Sequence, residues 1–129
     1  MENSYTPGIH LILDLYQATH LNDKCVIEKA LTEAAEACHA TILQKYFHSF
    51  GEGQGITGML LLAESHISIH TWPENHFAAV DIFMCGNCEP SLAITPIKQY
   101  LCPQRVDVRE LDRGAALNKV NISSTYGPI

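Results

Sequence analysis

Residues 64–76 read Glu-Ser-His-Ile-Ser-Ile-His-Thr-Trp-Pro-Glu-Asn-His, directly after the apolar run "MLLLA". Glu64, Ser65, His66, Ser68, His70, Thr71, Trp72, Glu74 and His76 all fall in this window. Hydroxyls, imidazoles and carboxylates are packed more densely than a solvated loop requires. The stretch is also too polar for an ordinary core strand.

Four readings compete. His66 and His70 form an H-x-x-x-H pair, which on a helix would turn two imidazoles to one metal, with a Glu inside the motif as base. Here Ile67 and Ile69 favour a strand and no Glu lies inside, so no metal is expected. "CGNC", Cys85 to Cys88, has redox or zinc spacing. It lacks a second pair for zinc and a convincing long helix for thioredoxin-like chemistry, so Cys88 reads as a turn residue after a strand. Ser65 with His70 suggests a hydrolase, yet no G-x-S-x-G elbow surrounds the serine. Polar residues on the exposed face of an edge strand would explain Ser68 and Thr71. They explain Trp72, the two histidines of one parity and the Glu64-Ser65 step poorly. In one extended strand Glu64, His66, Ser68 and His70 point one way and Ser65 the other. His70 meets Ser65 only if the chain bends sharply or ends there.

These side chains need a frame. "GIHLILDLY" (8–16) alternates as a strand, with Ile9, Leu11, Leu13 and Leu15 on one face and His10, Ile12, Asp14 and Tyr16 on the other. Residues 23–40 switch to helical spacing, with Val26, Ile27, Ala30, Leu31, Ala34, Ala35 and Cys38 as the apolar stripe. Asn22 or Asp23 is the expected cap. Strands are expected at 41–50, 56–64, 66–72, 77–85 and 105–111. A helix at 90–101 should be kinked or restarted by Pro96, and the tail after Arg113 should be loosely held. The order β-α-β-β-β-β-α-β implies an α+β fold: a mostly antiparallel sheet with two helices on one face. The bare face needs a cover, and a second copy of the chain is the natural one.

The bulk properties set limits. A chain of 129 residues with 47% hydrophobic content suggests one domain, 1–129, with one core. A formal charge of −6 and no Lys/Arg run argue against nucleic acid and an anionic membrane surface. No apolar run reaches the roughly 18 residues that a membrane span needs. "MENSYTPGIH" lacks the shape of a secretory signal, and an odd count of five cysteines reads as a reducing cytoplasm.

At this point the residues match a family. "ESHISIHTWPE" (64–74), with "FHSF" (47–50) before it and "AAVDIFMCG" (78–86) after it, resembles the small prokaryotic S-adenosylmethionine decarboxylase proenzymes. "GIHLILDLY" and "ATILQKYFHSF" resemble the family's first two strands, so the resemblance covers about residues 8–112. It implies a two-layer α/β sandwich that pairs into a homodimer. It also implies serinolysis at Glu64-Ser65, giving chains 1–64 and 65–129 and leaving a covalent pyruvoyl group derived from Ser65. That group would form a Schiff base with the amine of a small-molecule substrate, and the product would feed spermidine synthesis.

Further roles follow by the same resemblance. His70 supports processing by taking the α-proton of Ser65 in the elimination. Thr57, where the family more often has serine, polarises the Glu64 carbonyl or holds the oxyanion. Cys85 returns a proton to the substrate carbon. Phe50, from the partner protomer, stacks on adenine, and Glu74 contacts ribose hydroxyls. His66 is a local hydrogen-bonding residue, and Cys88 has no assigned chemistry. The alternative keeps the pyruvoyl machinery but takes arginine or ornithine, which would need a buried carboxylate for the guanidinium.

Overall fold

The computed structural model describes residues 7–85 and 87–118. Strand β1 (Gly8–Tyr16) is followed by helix α1 (Lys24–Ala37). Strands β2 (Ile42–Ser49), β3 (Ile56–Leu62), β4 (Ser65–Trp72) and β5 (Phe77–Cys85) come next. Helix α2 (Ile94–Leu101) and strand β6 (Arg105–Arg113) close the fold. The strands form one sheet in the order β2-β3-β4-β5-β1-β6, and each neighbouring pair is antiparallel.

Alternation along the strands builds the core. Leu11, Leu13 and Leu15 of β1, Ile67 and Ile69 of β4, and Val80, Ile82 and Met84 of β5 are buried on one sheet face. Both helices cover this face. Helix α1 contributes Ile27, Ala30, Leu31, Ala34 and Ala35, and α2 contributes Ile97 and Leu101. Each large aliphatic side chain buried this way stabilises the fold by about 1.5–3 kcal/mol before entropy is counted. Asp23 caps α1, its Oδ1 accepting from the N–H groups of Cys25 and Val26 at 3.1 and 3.2 Å.

Pro96 produces no interior kink. Residues Pro90–Ala93 form a 3-10 turn, and α2 begins afresh at Ile94. Pro96 therefore lies in the first turn, where the backbone N–H has no intrahelical partner to lose. Gly58 is required by packing: a Cβ there would lie 2.4 Å from the Phe47 ring, which crosses the strand.

The expected strand 56–64 ends earlier, at Leu62. Ala63 and Glu64 form a two-residue turn, and Leu62 pairs with Ser65 across it. Two features pin the turn: Ala63 N–H donates to Thr41 O at 2.9 Å, and Thr41 N–H donates to Glu64 Oε1 at 2.9 Å. Glu64 is thus a turn residue rather than part of the β4 face.

Among the described residues, no helix covers the opposite sheet face. Tyr46, Met59, Leu61 and Leu111 are exposed there, beside the polar residues His10, His66, Ser68, His70 and Asp81. Beyond β6, Ala115–Asn118 form a 3-10 turn, and residues 119–129 of the expected loose tail lie outside the described residues.

Candidate active site

The Glu64-Ser65 bond closes the β3–β4 turn. Tight hairpin turns usually place positive φ on their central residues, with Gly or Asn to tolerate it. Here the positive φ falls on Ser65, at +145°. A residue with a Cβ held in such a region stores about 1–3 kcal/mol of backbone strain. The Glu64 carbonyl is engaged as well, accepting the Cys85 N–H at 3.0 Å. Cys85 ends β5, beside β4, and its thiol is exposed.

Around Ser65 the open face holds a connected polar chain. Ser65 Oγ lies 3.4 Å from His66 Nδ1, and His66 Nε2 lies 3.4 Å from Asp81 Oδ2. The other Asp81 oxygen is hydrogen bonded to His10 Nε2. Arg113 Nη1 donates to His10 Nδ1 at 2.9 Å. The Phe83 ring packs between the two histidines, with centroids 5.2 Å from His10 and 5.9 Å from His66.

A second cluster occupies the far end of β4. Thr57 Oγ1 and His70 Nδ1 are 2.6 Å apart, joined by the β3–β4 register. Rings surround the pair: His70 to Trp72 at 4.2 Å, His70 to Phe50 at 6.1 Å and His48 to Phe50 at 4.6 Å. Phe50 is 53% exposed, so its ring is available to a ligand. Glu74 follows in the 3-10 turn Pro73–Asn75 and is exposed. A groove of about 410 Å³ runs over the face between the clusters, lined by Ile12, Thr57, Met59, Ser68, His70 and Asp81. A larger cavity of about 500 Å³, at the start of α1, contains none of these residues.

One chain does not bring the expected residues together. At about 3.3 Å per residue, the five-residue step from Ser65 to His70 spans roughly 16 Å of continuous strand. His70 and Thr57 therefore cannot act on Ser65 or Glu64 of their own chain. The donor that reaches the Glu64 carbonyl within the chain is the Cys85 N–H. Ser65 and Cys85 share one end, while Thr57, His70, Phe50 and Glu74 share the other.

Two of the remaining thiols, Cys38 and Cys88, lie close to each other. Burial, then Cys88, push the Cys38 thiol up to about 11, and its Sγ contacts Pro90 O at 3.9 Å. Burial also raises Cys88, followed by the charges of Glu64 and Cys85, which sets it near the same turn. Among the described residues, no group of three or more His, Cys, Asp or Glu is arranged to hold a metal ion. No helix among them is long and apolar enough to cross a membrane.

Sequence reasoning missed Asp81, His10, Arg113 and the Cys85 N–H. Parity placed His10 on the face away from the Leu11 row. The neighbouring of β1 and β5, which brings His10 to Asp81, has no local signature.

The family model for S-adenosylmethionine decarboxylase matches residues 9–114. The chain belongs to the S-adenosylmethionine decarboxylase family. It is similar to the S-adenosylmethionine decarboxylase proenzyme of Methanococcus maripaludis (strain C5 / ATCC BAA-1333), with 44% identity over 83% of this chain and 89% of that one. It is similar to the proenzyme of the same name from Prochlorococcus marinus (strain MIT 9313), with 54% identity over 73% of this chain and 77% of that one. The crystal structure of the adenosylmethionine decarboxylase from Aquifex aeolicus VF5 superposes with a TM-score of 0.76 at 35% identity. It covers 84% of this chain and 92% of that one. The six-stranded antiparallel sheet with two helices on one face is thus the fold of the decarboxylase family.

Proposed function

We propose that this chain is an S-adenosylmethionine decarboxylase made as a proenzyme, which cuts itself between Glu64 and Ser65 and leaves a pyruvoyl group at position 65. The observation that carries this reading is the strained Ser65 φ of +145° at a turn whose carbonyl accepts the Cys85 N–H. A strained peptide loses its strain when the bond breaks, which favours scission. A backbone donor on the carbonyl also favours charge developing there. The surroundings fit the group: residue 65 opens β4 on a partly exposed sheet end, with the exposed Cys85 thiol on the adjoining strand.

A ketone next to an amide carbonyl supplies the electron sink that decarboxylation of an α-amino acid needs. The side chains of the protein do the rest. Cys85 returns a proton to the substrate carbon. Phe50 offers an exposed ring for adenine, and Glu74 a carboxylate for ribose hydroxyls. The Thr57–His70 pair handles the Ser65 α-proton and the Glu64 carbonyl.

The division of the residues between two ends of β4 supports a homodimer. A two-fold axis lying between two stacked open faces, running across β4, exchanges those ends. Each site then takes Ser65 and Cys85 from one copy and Thr57, His70, Phe50 and Glu74 from its partner. The exposed Tyr46, Met59, Leu61 and Leu111 give that face the apolar content of an interface.

Arginine or ornithine as substrate gains no support. The relatives described above carry the S-adenosylmethionine name, and the open-face carboxylate of Asp81 is already engaged by two histidines. Five free thiols are in keeping with a reducing cytoplasm, and the product would serve spermidine synthesis.

The test is a denaturing gel with an assay of carbon dioxide release from S-adenosylmethionine, arginine and ornithine. Wild-type protein should run as chains 1–64 and 65–129, with the second blocked to N-terminal sequencing. Ser65→Ala should stay whole and inactive. An alanine variant that still splits at this bond overturns the reading.

A further inference from the structure

We propose that His66 is the base that activates Ser65 for attack on the Glu64 carbonyl, and that Asp81, His10 and Arg113 are positioning residues that fix its tautomer. The inference rests on the self-cleavage reading and deepens it by naming the group that begins the reaction within a single chain.

With both imidazoles neutral and Asp81 ionised, the hydrogen-bond chain admits one consistent set of protons. A guanidinium only donates, so Arg113 Nη1–H must meet a lone pair on His10 Nδ1. The His10 proton is then on Nε2 and is donated to Asp81 Oδ1. The second carboxylate oxygen, Oδ2, accepts the proton on His66 Nε2. That leaves His66 Nδ1 with a free lone pair, and the atom it faces, at 3.4 Å, is Ser65 Oγ. A serine hydroxyl, an imidazole of set tautomer and a carboxylate behind it form the arrangement that makes a hydroxyl nucleophilic. The 3.4 Å contact is loose, as hydrogen bonds in unreacted sites often are.

The step balances without a further reactant. Ser65 Oγ bonds to the Glu64 carbonyl carbon, and the bond from that carbon to the Ser65 nitrogen breaks. The Oγ proton passes to His66 Nδ1 and then to the freed amine. The Cys85 N–H, 3.0 Å from the Glu64 oxygen, supports the charge that forms there. The product is an ester, and no electrons change hands. His70 lies too far along β4 to do this on its own chain, so the two histidines divide the work. His66 makes the ester within the chain, and His70 of the second copy opens it by elimination.

The experiment follows freshly synthesised chains from cell-free translation, sampled over time on denaturing gels with and without hydroxylamine, which cleaves esters. His66→Gln keeps a donor for Asp81 but has no basic nitrogen. It should slow scission by about 100-fold or more and give no hydroxylamine-sensitive species. His70→Gln should accumulate the ester and split promptly in hydroxylamine. The positioning residues are read on uncleaved Ser65→Ala protein by nitrogen-15 NMR of the imidazoles. His66 should carry its proton on Nε2, and adding Asp81→Asn should disturb that assignment. Wild-type scission kinetics in a folded His66→Gln, or a proton on His66 Nδ1 in the Ser65→Ala protein, overturns the proposal. The second measurement does not depend on the glutamine variant folding. If wild type itself never splits, self-cleavage fails instead, and the two outcomes are distinct.

Discussion

Mixing two dead variants tests the shared site directly. Ser65→Ala lacks the scissile serine, and His70→Ala lacks the imidazole at the far end of β4. About 16 Å of rigid strand separates the two positions, well beyond hydrogen-bond reach. If the site is shared between two copies as proposed, neither homodimer holds a complete site. In a heterodimer, Ser65 of the His70→Ala chain meets His70 of the Ser65→Ala chain, and the other site lacks both. At equal expression about half of the dimers are mixed, each with one intact site, so about a quarter of wild-type activity should return. The gel gives a second measure: about half of the His70→Ala chains should be cut when co-expressed, and the Ser65→Ala chains never. Each variant alone should give neither signal. A mixed sample that stays inactive and uncut refutes the two-copy site. Equal cutting of His70→Ala with or without its partner removes His70 from processing.

Cys85→Ala should still cut itself, because the carbonyl donor at this position is backbone N–H. Its turnover should fall, and mass spectrometry of the 65–129 chain during turnover should find its first residue converted to alanine. Unchanged turnover would mean that another group delivers the proton. Alkaline stability should report Cys38, whose folded thiol is pushed up to about 11. Below the unfolded value of 9.0 both states keep the proton. Above it the unfolded chain ionises first, so stability falls by up to about 1.4 kcal/mol per pH unit until the folded thiol titrates too. Denaturant melts of wild type and Cys38→Ala between pH 8 and about 11 should diverge over that window, and parallel curves would deny the burial effect. Gly58→Ala should destabilise by about 1–3 kcal/mol in thermal melts, because its Cβ would press on the Phe47 ring.

The elements were legible where side chains speak locally. "FAAVDIFMC" is a short apolar run with β-branched and aromatic residues, and β5 spans those residues, Phe77–Cys85. The end of β3 was not legible. "MLLLAE" stays apolar through Ala63 and has no Gly or Asn to announce a turn, yet the chain reverses at Ala63 and Glu64. The strain required by that reversal fell on Ser65. The candidate site residues stood out by type. Their division between two ends of the sheet was not, because it depends on the length of β4 and on cross-strand register. The His66–Asp81–His10 chain was hidden for a similar reason, since it joins residues of three strands that become neighbours only when β1 inserts beside β5.

That insertion has a consequence for a severed chain. Residues 1–64 carry β1, α1, β2 and β3, and residues 65–129 carry β4, β5, α2 and β6. In the order β2-β3-β4-β5-β1-β6, the strand from the first piece nearest its start is threaded between two strands of the second. The pieces are interleaved, so separating them means parting β3 from β4 and freeing β1 along both edges. Scission at Glu64-Ser65 would therefore remove a covalent link without freeing either product. It would also change the order of the refolding reaction. The uncut chain folds its sheet within one molecule, whereas two denatured pieces must first find each other, and β1 must then enter between β5 and β6. If the chain cuts itself as proposed, maturation is a passage made once: the chain assembles its sheet while it is one molecule and keeps it afterwards as two.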